Sequence, residues 1–301
     1  MPERAAIILA GGDGTRLRSL TRQLVGDDRP KQFCPVLGHR TLLDETRARA
    51  ALLVEPDRTL FVVSRAHEAY YGPALGDVAE RRIVVQPVNR GTAPAILYAL
   101  ARQQMVAPAE AIVILPSDHY VADDVAFMAR AEHAFDAVAA RPGYVVMLGI
   151  EPSRPETGYG WIAPGEVILD GPGWPIYGVR RFWEKPPVAT AEALMRGGAL
   201  WNSFVLIANP GTLLTLIRRV RPDVVAMFSP LFARIDTPCE SHVARSVYAS
   251  VPATDLSKDV LQAVPESLAV LPVTAVGWSD LGEPERVLAA REREAPRPVA
   301  V

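Results

Sequence analysis

The chain has 301 residues, of which 49% are hydrophobic and 22% are charged, a composition typical of a folded globular protein with a substantial core. Its formal net charge of −2 argues against a general nucleic-acid binder, which would carry a strong basic excess. No apolar run approaches the roughly 20 residues that span a bilayer, so we expect a cytoplasmic protein with neither nucleic-acid nor membrane partners.

The first predicted element is a short buried strand at residues 7–10 that runs into a glycine-rich loop, Gly11-Gly12-Asp13-Gly14-Thr15-Arg16. Successive backbone N–H groups in such a loop form a concavity that binds anions. Arg16 and, after a polar insert, Lys31 add positive charge, so the pattern favours a phosphate site. A tight turn without a ligand is the alternative. The spacing matches neither the P-loop nor the dinucleotide-binding turn.

Short apolar strands and helices then alternate along the chain. The pattern predicts helices at 40–53, 67–75, 92–104 and 123–140, and strands at 59–64, 82–86, 111–115 and 144–150. Such alternation is typical of a mostly parallel sheet that is covered by helices on both faces. We therefore predict an α/β fold with a mostly parallel central sheet.

Two of these strands run into polar segments, at the end of the sheet where ligands gather in open α/β folds. Strand 82–86 leads to Arg90-Gly91-Thr92-Ala93, where Thr92 is a candidate helix cap and the helix start offers free N–H donors. Strand 111–115 leads to Pro116-Ser117-Asp118-His119. A carboxylate beside a polyphosphate needs a divalent cation between them, so Asp118 is a candidate Mg²⁺ ligand. A cap for the following turn is the alternative role.

The second half of the chain carries further polar and aromatic clusters. One cluster is Gly158-Tyr159-Gly160-Trp161. Its glycines would let the main chain come close to sugar hydroxyls, and its aromatic side chains offer flat apolar faces to a sugar ring. A hairpin turn could have the same composition. A predicted strand ends in Phe182-Trp183-Glu184-Lys185-Pro186, which places a carboxylate beside an ammonium group; on an open surface such a pair is worth little. Helix is predicted at 189–197, mainly helix at 210–250, a strand at 268–273 and a helix at 284–290.

Taken in order, the motifs resemble those of the sugar-nucleotide pyrophosphorylases, and among them the guanylyltransferases that act on mannose 1-phosphate. The resemblance covers residues 6–286 and rests on Leu9 to Leu17, Pro30-Lys31-Gln32-Phe33, Pro116-Ser117-Asp118-His119, Glu156 to Ile162, Glu184-Lys185-Pro186, Trp201-Asn202-Ser203 and Trp278-Ser279-Asp280. The chain departs from the family pattern at Gln86 (Glu in the family), Gly91 (Asn) and Phe204 (Gly).

The resemblance implies a Rossmann-like nucleotide-diphospho-sugar transferase fold of the GT-A-like type. It implies that GTP and α-D-mannose 1-phosphate give GDP-mannose and pyrophosphate, with Mg²⁺ as cofactor, and that the protein is a homodimer. The implied domain spans residues 1–286, with 210–286 covering the sugar side and returning to the core, and with a disordered tail at 287–301.

The family's functional residues fall on positions distributed over the whole chain. The implied catalytic residues are Arg16, Lys31 and Asp118, and the implied metal ligands are Asp118 and Asp280. The implied nucleotide contacts are Leu9, Ala10, Gly11, Gly12, Gly14, Thr15, Arg16, Lys31, Gln86, Arg90, Thr92, Ala93, Pro116 and Asp118. The implied sugar-phosphate contacts are Gly158, Tyr159, Glu184, Lys185 and Asn202. Asp259, in a segment with a weaker likeness, is a further candidate for the sugar or metal region.

Two alternative functions stay open. The first is nucleotidyl transfer to a different sugar 1-phosphate, such as a heptose 1-phosphate, which Gly91 and Phe204 keep possible. The second is a catalytically inactive subunit that binds sugar nucleotides. Such proteins often lose phosphate or metal ligands, whereas the charged residues that the resemblance implies are all present here.

Overall fold

The computed structural model describes residues 3–170 and 173–294. Within them, nine strands form one sheet: β1 (Arg4–Leu9), β2 (Thr59–Ser64), β3 (Ile83–Gln86), β4 (Ala111–Pro116), β5 (Val145–Ile150), β6 (Gly160–Leu169), β7 (Ile176–Glu184), β8 (Leu200–Ala208) and β9 (Leu268–Val273). Their order across the sheet is β3-β2-β1-β4-β8-β5-β9-β7-β6, and β8 also pairs with β6.

The same residues contain eleven α-helices, joined in places by single 3₁₀ turns. They are α1 (Arg18–Val25), α2 (Leu42–Ala50), α3 (Glu68–Ala74), α4 (Thr92–Val106), α5 (Asp124–Ala140), α6 (Val188–Arg196), α7 (Pro210–Val220), α8 (Pro222–Phe232), α9 (Glu240–Ser250), α10 (Leu256–Asp259) and α11 (Pro284–Glu294). No helix in these two described segments is long and apolar enough to cross a membrane.

The sheet confirms the predicted α/β class and shows where its parallel part lies. Strands β3, β2, β1 and β4 pair in parallel, and so do β5 and β9. Strand β8 lies antiparallel between β4 and β5, and β6 and β7 add further antiparallel pairs. The parallel half therefore belongs to the first part of the chain, and the second part adds a mixed half.

Helices cover both faces of the sheet, as predicted. Successive residues of a strand point to opposite faces, and Ile7 and Ile8 of β1 accordingly enter two different hydrophobic cores. Ile7 shares its core with residues of α4, α7, α8 and α9, among them Phe228 and Tyr248. Ile8 shares the other core with residues of α2 and α5, such as Phe127. The helices at 210–250 thus complete one face of the sheet, and their role as a cover over a sugar stays a prediction.

Three local predictions differ from the structure. Gly91, not Thr92, precedes the first turn of α4, and the Thr92 hydroxyl instead accepts a hydrogen bond of 2.7 Å from the N–H of Leu256. The helix predicted to end at residue 290 continues to Glu294, into the segment expected to be disordered. The remainder of that tail, 295–301, lies outside the described residues. Finally, Leu200–Ala208 forms a full strand that the sequence pattern did not predict.

Candidate active site

The glycine-rich loop after β1 is held by contacts with the 3₁₀ turn at Lys31–Phe33. Gln32 is buried, and its Nε2 donates to the carbonyl oxygens of Ala10 at 3.0 Å and Gly12 at 2.8 Å. Gly14 has a φ of +58°, and a Cβ there would lie 3.2 Å from the Pro30 Cα. The loop therefore keeps its shape through Gln32, a side chain of the sequence motif for which the motif alone predicts no role.

Asp118 and Asp280 are far apart in sequence and are brought together by two sets of backbone contacts. Ser117, directly after β4, donates its hydroxyl to the Leu9 carbonyl at 2.8 Å. Tyr120 and Ser279 then form an isolated antiparallel bridge, with N–H to carbonyl distances of 2.8 and 3.0 Å. This bridge fixes the loop that carries Asp118 beside the loop that carries Asp280. Both carboxylates line the same cavity.

Lys31 links these two acidic segments. Its Nζ lies 3.3 Å from Asp118 Oδ2 and donates to the carbonyl oxygens of Asp280 at 2.5 Å and Leu281 at 3.2 Å. The side chain is only 7% exposed and does not line the cavity. In this structure Lys31 therefore holds the two carboxylate-bearing loops together.

Both carboxylates are ionised at neutral pH. Burial acts to raise the pKa of Asp118, but the Lys31 ammonium and the neighbouring His119 outweigh it, so that pKa is lowered. Burial likewise acts to raise the pKa of Asp280, and the charges of His119, Lys31 and Arg286 lower it overall. Burial lowers the pKa of His119 despite the attraction of Asp118.

The two carboxylates fit a divalent cation that takes most of its ligands from elsewhere. Within residues 3–170 and 173–294, no group of three or more His, Cys, Asp or Glu side chains is arranged to hold a metal. Mg²⁺ at nucleotide sites commonly uses one or two carboxylates and completes its shell with water and substrate phosphates. Asp118 and Asp280 match that donor set.

The sugar side of the cavity is built from the ends of β7 and β8. Glu184 ends β7, and Lys185 follows at a φ of +48°, with its N–H donating to the Tyr159 carbonyl at 3.1 Å. This turn breaks the alternation of a strand and lets both side chains line the cavity, as expected. The Lys185 ammonium lies 3.5 Å from Glu184, and the Lys185 side chain is 62% exposed. Burial raises the pKa of Glu184.

Asn202 and Phe204 form the floor beside this pair. Asn202 accepts the N–H of Phe204 at 3.0 Å and donates to the Ser257 hydroxyl at 3.3 Å. Phe204 has a φ of +58°, a conformation that glycine adopts without strain. That conformation explains why the family pattern has glycine here, and it places an aromatic ring in the wall of this cavity.

Two adjoining cavities result. The main one, of about 280 Å³, reaches from Arg16 and Asp118 to Lys185 and Asn202. The second, of about 170 Å³, is lined by Gln86 among others and shares with the first Leu9, Gly12, Thr92 and Asp255. A larger cavity of about 570 Å³ lies elsewhere, against α2 and β2, and contains none of the predicted site residues.

Most predicted site residues line one of the two adjoining cavities. Those of the main cavity are Leu9, Gly12, Arg16, Thr92, Pro116, Asp118, Gly158, Tyr159, Glu184, Lys185, Asn202 and Asp280. Those of the second, beyond the shared ones, are Gly11 and Gln86. The remaining predicted contacts line neither, namely Ala10, Gly14, Thr15, Lys31, Arg90 and Ala93.

Arg90, which lines neither cavity, makes a contact elsewhere in the fold. Its Nε donates to the Tyr248 carbonyl at 2.9 Å, at the end of α9, so the guanidinium ties that helix to the start of α4. Asp259 is also not among the lining residues; its carboxylate accepts the N–H of Asp255 at 2.7 Å, and it is Asp255 that lines both cavities. Sequence reasoning missed other lining residues, which are Gln32, Ser117, His119, Ser257 and Trp278.

Comparisons with known proteins identify relatives that match nearly the whole chain. A family model described as "Nucleotidyl transferase" matches residues 5–295. The "Xanthan biosynthesis protein XanB" of Xanthomonas campestris pv. campestris (strain B100) is 30% identical over 298 residues, which cover 98% of this chain and 61% of that protein. The "Mannose-1-phosphate guanylyltransferase" of Escherichia coli (strain K12) is 31% identical over 282 residues, covering 92% of this chain and 57% of the relative.

A solved structure from Thermus thermophilus, described as a "mannose-1-phosphate geranyltransferase", superposes with a TM-score of 0.80 at 35% identity. The match covers 95% of this chain and 79% of that one. The chain spans about three fifths of the length of the two relatives above, so the comparisons concern the part of those proteins that it matches.

Proposed function

The chain belongs to the nucleotidyl transferase family, and from that premise we propose that it joins GTP and α-D-mannose 1-phosphate to give GDP-mannose and pyrophosphate. The choice of nucleotide and sugar is supported by the relatives named as mannose-1-phosphate guanylyltransferases. The observation that carries the reaction type is the meeting of Asp118 and Asp280 in one cavity, with a glycine-rich loop on one side and Glu184 and Lys185 on the other.

In the proposed reaction, a phosphate oxygen of the sugar phosphate forms a bond to the α-phosphorus of GTP. The bond between that phosphorus and the oxygen bridging to the β-phosphorus breaks, and pyrophosphate leaves with the electron pair. The nucleophile is already an anion at neutral pH, so no general base is needed. Catalysis then rests on positioning and on stabilising charge.

The side chains that line the cavity suit these tasks. Arg16, with 59% of its side chain exposed, stands at the nucleotide end and can pair with phosphate oxygens. Lys185 stands at the other end, where its exposed ammonium can offset the repulsion between the sugar phosphate and GTP. The Glu184 carboxylate can accept hydrogen bonds from sugar hydroxyls. Mg²⁺ held by Asp118 and Asp280 would supply further neutralisation of phosphate charge.

The second cavity suits the nucleotide base. The buried amide of Gln86 lines it, and Oε1 of that amide accepts the Tyr248 hydroxyl at 3.4 Å. This contact orients the amide so that its NH₂ group lies towards Gly11, where a donor is available for a base oxygen. Guanine and uracil both present such an acceptor, whereas the corresponding edge of adenine carries an amino group. A donor at this position would therefore favour GTP or UTP over ATP, and the preference for GTP rests on the named relatives.

The test is release of pyrophosphate from purified protein with Mg²⁺, GTP and mannose 1-phosphate. Parallel reactions replace GTP by ATP or UTP and mannose 1-phosphate by glucose or heptose 1-phosphate. Activity confined to the first pair would support the proposal, whereas release with another pair would keep the reaction type and change the substrate. Silence with every pair, together with GDP-mannose binding by calorimetry, would favour a binding subunit.

A variant links the activity to the proposed centre. We expect Asp118→Asn to lower turnover by about 10²-fold or more, since it removes the charge that faces the phosphates while keeping the side-chain shape. Asp28→Asn, which changes a carboxylate in an exposed surface pair with Arg22, is the matched control and is expected to retain full activity. Equal activity of both variants would contradict the assignment of Asp118.

A further inference from the structure

Three hydrogen-bond donors converge on a single oxygen of Asp280. Its Oδ1 accepts the Tyr159 hydroxyl at 2.9 Å, the N–H of Gly282 at 2.9 Å and Nη1 of Arg286 at 2.5 Å. A carboxylate oxygen offers about two lone-pair sites, so three donors saturate it. A cation that approaches Asp280 from the cavity can then bind only through Oδ2.

Arg286 is itself fixed from the opposite side. Its Nη2 lies 2.9 Å from Glu156 Oε2, and its guanidinium stacks 4.6 Å above the centre of the Tyr159 ring. The Arg286 and Glu156 side chains are only 8% and 14% exposed. The guanidinium is therefore held by a carboxylate, a ring face and Asp280, which leaves it little rotational freedom. Through these contacts α11 and the loop before β6 act together on one carboxylate.

The charges of this cluster also balance. Arg286 alone would reduce the attraction of Asp280 for a cation, because a positive charge would stand beside the ligand. Glu156 lies against Arg286 and also pairs with Arg154, whose side chain is 56% exposed, so that its charge is screened by solvent. Glu156 therefore offsets the Arg286 charge beside Asp280. Arg286 can thus orient the carboxylate without abolishing its affinity for a cation.

We propose that Arg286 is a positioning residue, which with Tyr159 and the Gly282 N–H commits Oδ1 of Asp280 to the protein and presents Oδ2 to a divalent cation. The inference rests on the proposed function, in which Asp280 is a metal ligand. None of the sequence motifs contains Arg286, which stands on the helix beyond them.

The first test measures Mn²⁺ binding by electron paramagnetic resonance, without substrate and with GDP-mannose. We expect Arg286→Ala to weaken Mn²⁺ affinity by about 10- to 100-fold, the usual cost of losing a group that orients a metal ligand. The single ammonium of Arg286→Lys can donate to Asp280 but cannot reach Glu156 at the same time. We therefore expect its Mn²⁺ affinity to lie between those of wild type and Arg286→Ala. Arg291→Ala, on the exposed side of α11, is the matched control.

Glu156→Gln tests the counter-charge of Arg286. This change leaves the three donors to Asp280 in the chain and keeps one oxygen that can accept from Arg286, but it removes the charge that offsets Arg286, so we expect weaker Mn²⁺ binding. In steady-state assays the Arg286 variants should show a lower kcat and a raised half-saturating Mg²⁺ concentration, with KM for the sugar phosphate little changed. Thermal melts establish that each variant is folded, and if Arg286→Ala is not, Arg286→Lys and Glu156→Gln carry the test.

The outcomes separate this inference from the proposed function. An active wild type whose Arg286→Ala variant binds Mn²⁺ as tightly as before, or more tightly, overturns the positioning role. A wild type that releases pyrophosphate but binds no Mn²⁺ in either state also overturns it, along with the metal-ligand role of Asp280. A wild type that binds Mn²⁺ at Asp280 but releases no pyrophosphate overturns the proposed function and leaves the positioning role standing.

Discussion

Replacing Lys31 by methionine tests whether this residue serves the two carboxylates as the structure indicates. Methionine keeps an unbranched apolar stem of similar length in a place where the lysine side chain is only 7% exposed. The change removes the ion pair with Asp118 and the hydrogen bonds to the Asp280 and Leu281 carbonyls. The loop that carries Asp118 and the loop that carries Asp280 then lose the link that Lys31 makes between them.

The expected cost in stability follows from the burial of the pair. Removing one partner costs about 3–5 kcal/mol for a fully buried pair and about 0–1 kcal/mol for a surface pair. Lys31 is buried but Asp118 is 38% exposed, so we expect an intermediate loss of about 2 kcal/mol. With an unfolding entropy of about 2.1 cal/mol/K per residue, this loss lowers the Tm of a 301-residue chain by about 3 °C.

The effect on activity is expected to be larger than the effect on stability. Lys31 acts against burial to lower the pKa of Asp118, so in its absence that pKa rises. As the proposed metal ligand Asp118 would have to be ionised, so we expect activity to be lost as the pH falls through its pKa. The acid limb of kcat/KM should therefore move to higher pH in Lys31→Met. Turnover at neutral pH should fall by about 10²-fold or more if Lys31 also meets phosphate charge in the transition state.

The assay is a pH series of pyrophosphate release for wild type and Lys31→Met, with melting curves on the same samples. Arg22→Met is the control, since Arg22 pairs with Asp28 on the surface and both side chains are largely exposed. We expect its Tm and pH profile to match wild type. A Lys31→Met enzyme with normal turnover and an unmoved acid limb would refute the argument.

Three further changes test separate parts of the site. In Gly91→Ala the new Cβ would lie 2.5 Å from the Thr254 carbonyl oxygen at a φ of +86°, so we expect a loss of about 1–3 kcal/mol in chemical denaturation and a raised KM for GTP. Gly143→Ala, with open space around it, should leave stability unchanged. Burial raises the pKa of Glu184, so its charged form destabilises the fold at pH 8. We expect Glu184→Gln to be more stable than wild type at pH 8 but not at pH 4, and to have a higher KM for the sugar phosphate. Equal melting temperatures of the two proteins at pH 8 would contradict this. Phe204→Gly removes the cost of a left-handed backbone at a non-glycine residue, about 1 kcal/mol, and removes a side chain from the cavity wall. The kcat/KM values for the different sugar 1-phosphates should therefore differ less than in wild type.

Much of the fold could be predicted because its strands are local, continuous and buried. Residues 60–63 and 111–115 are runs of apolar side chains. The structure has strands at Thr59–Ser64 and Ala111–Pro116, within one residue of the predicted bounds. Strand β8 was missed because its first half, Leu200-Trp201-Asn202-Ser203, lacks such a run. It forms because β4 and β5 both pair with it from distant parts of the chain, and a local pattern does not contain that information.

The candidate site shows the same division. Asp118 was a candidate ligand because it closely follows a buried strand, whereas Gln86 was implied by the family resemblance, and both line a cavity. The contact between Asp118 and Asp280 depends on the Tyr120–Ser279 bridge, which follows from the fold and not from either motif. Arg286 lies beyond the motifs on an amphipathic helix, where an arginine is ordinarily a surface residue. Only the structure shows that it is buried against Asp280.

Lys31 illustrates how a correct motif can carry more than one physical role. The sequence predicts a lysine for phosphate, whereas the structure places its ammonium between Asp118 and the backbone carbonyls of the Asp280 loop. A cation bound by Asp118 would compete with Lys31 for that carboxylate, because two positive charges on the same carboxylate repel each other. The ammonium would then favour phosphate oxygens over Asp118. On this reasoning, removing Asp118 and removing Lys31 should give less than additive losses of activity, because each acts through the other.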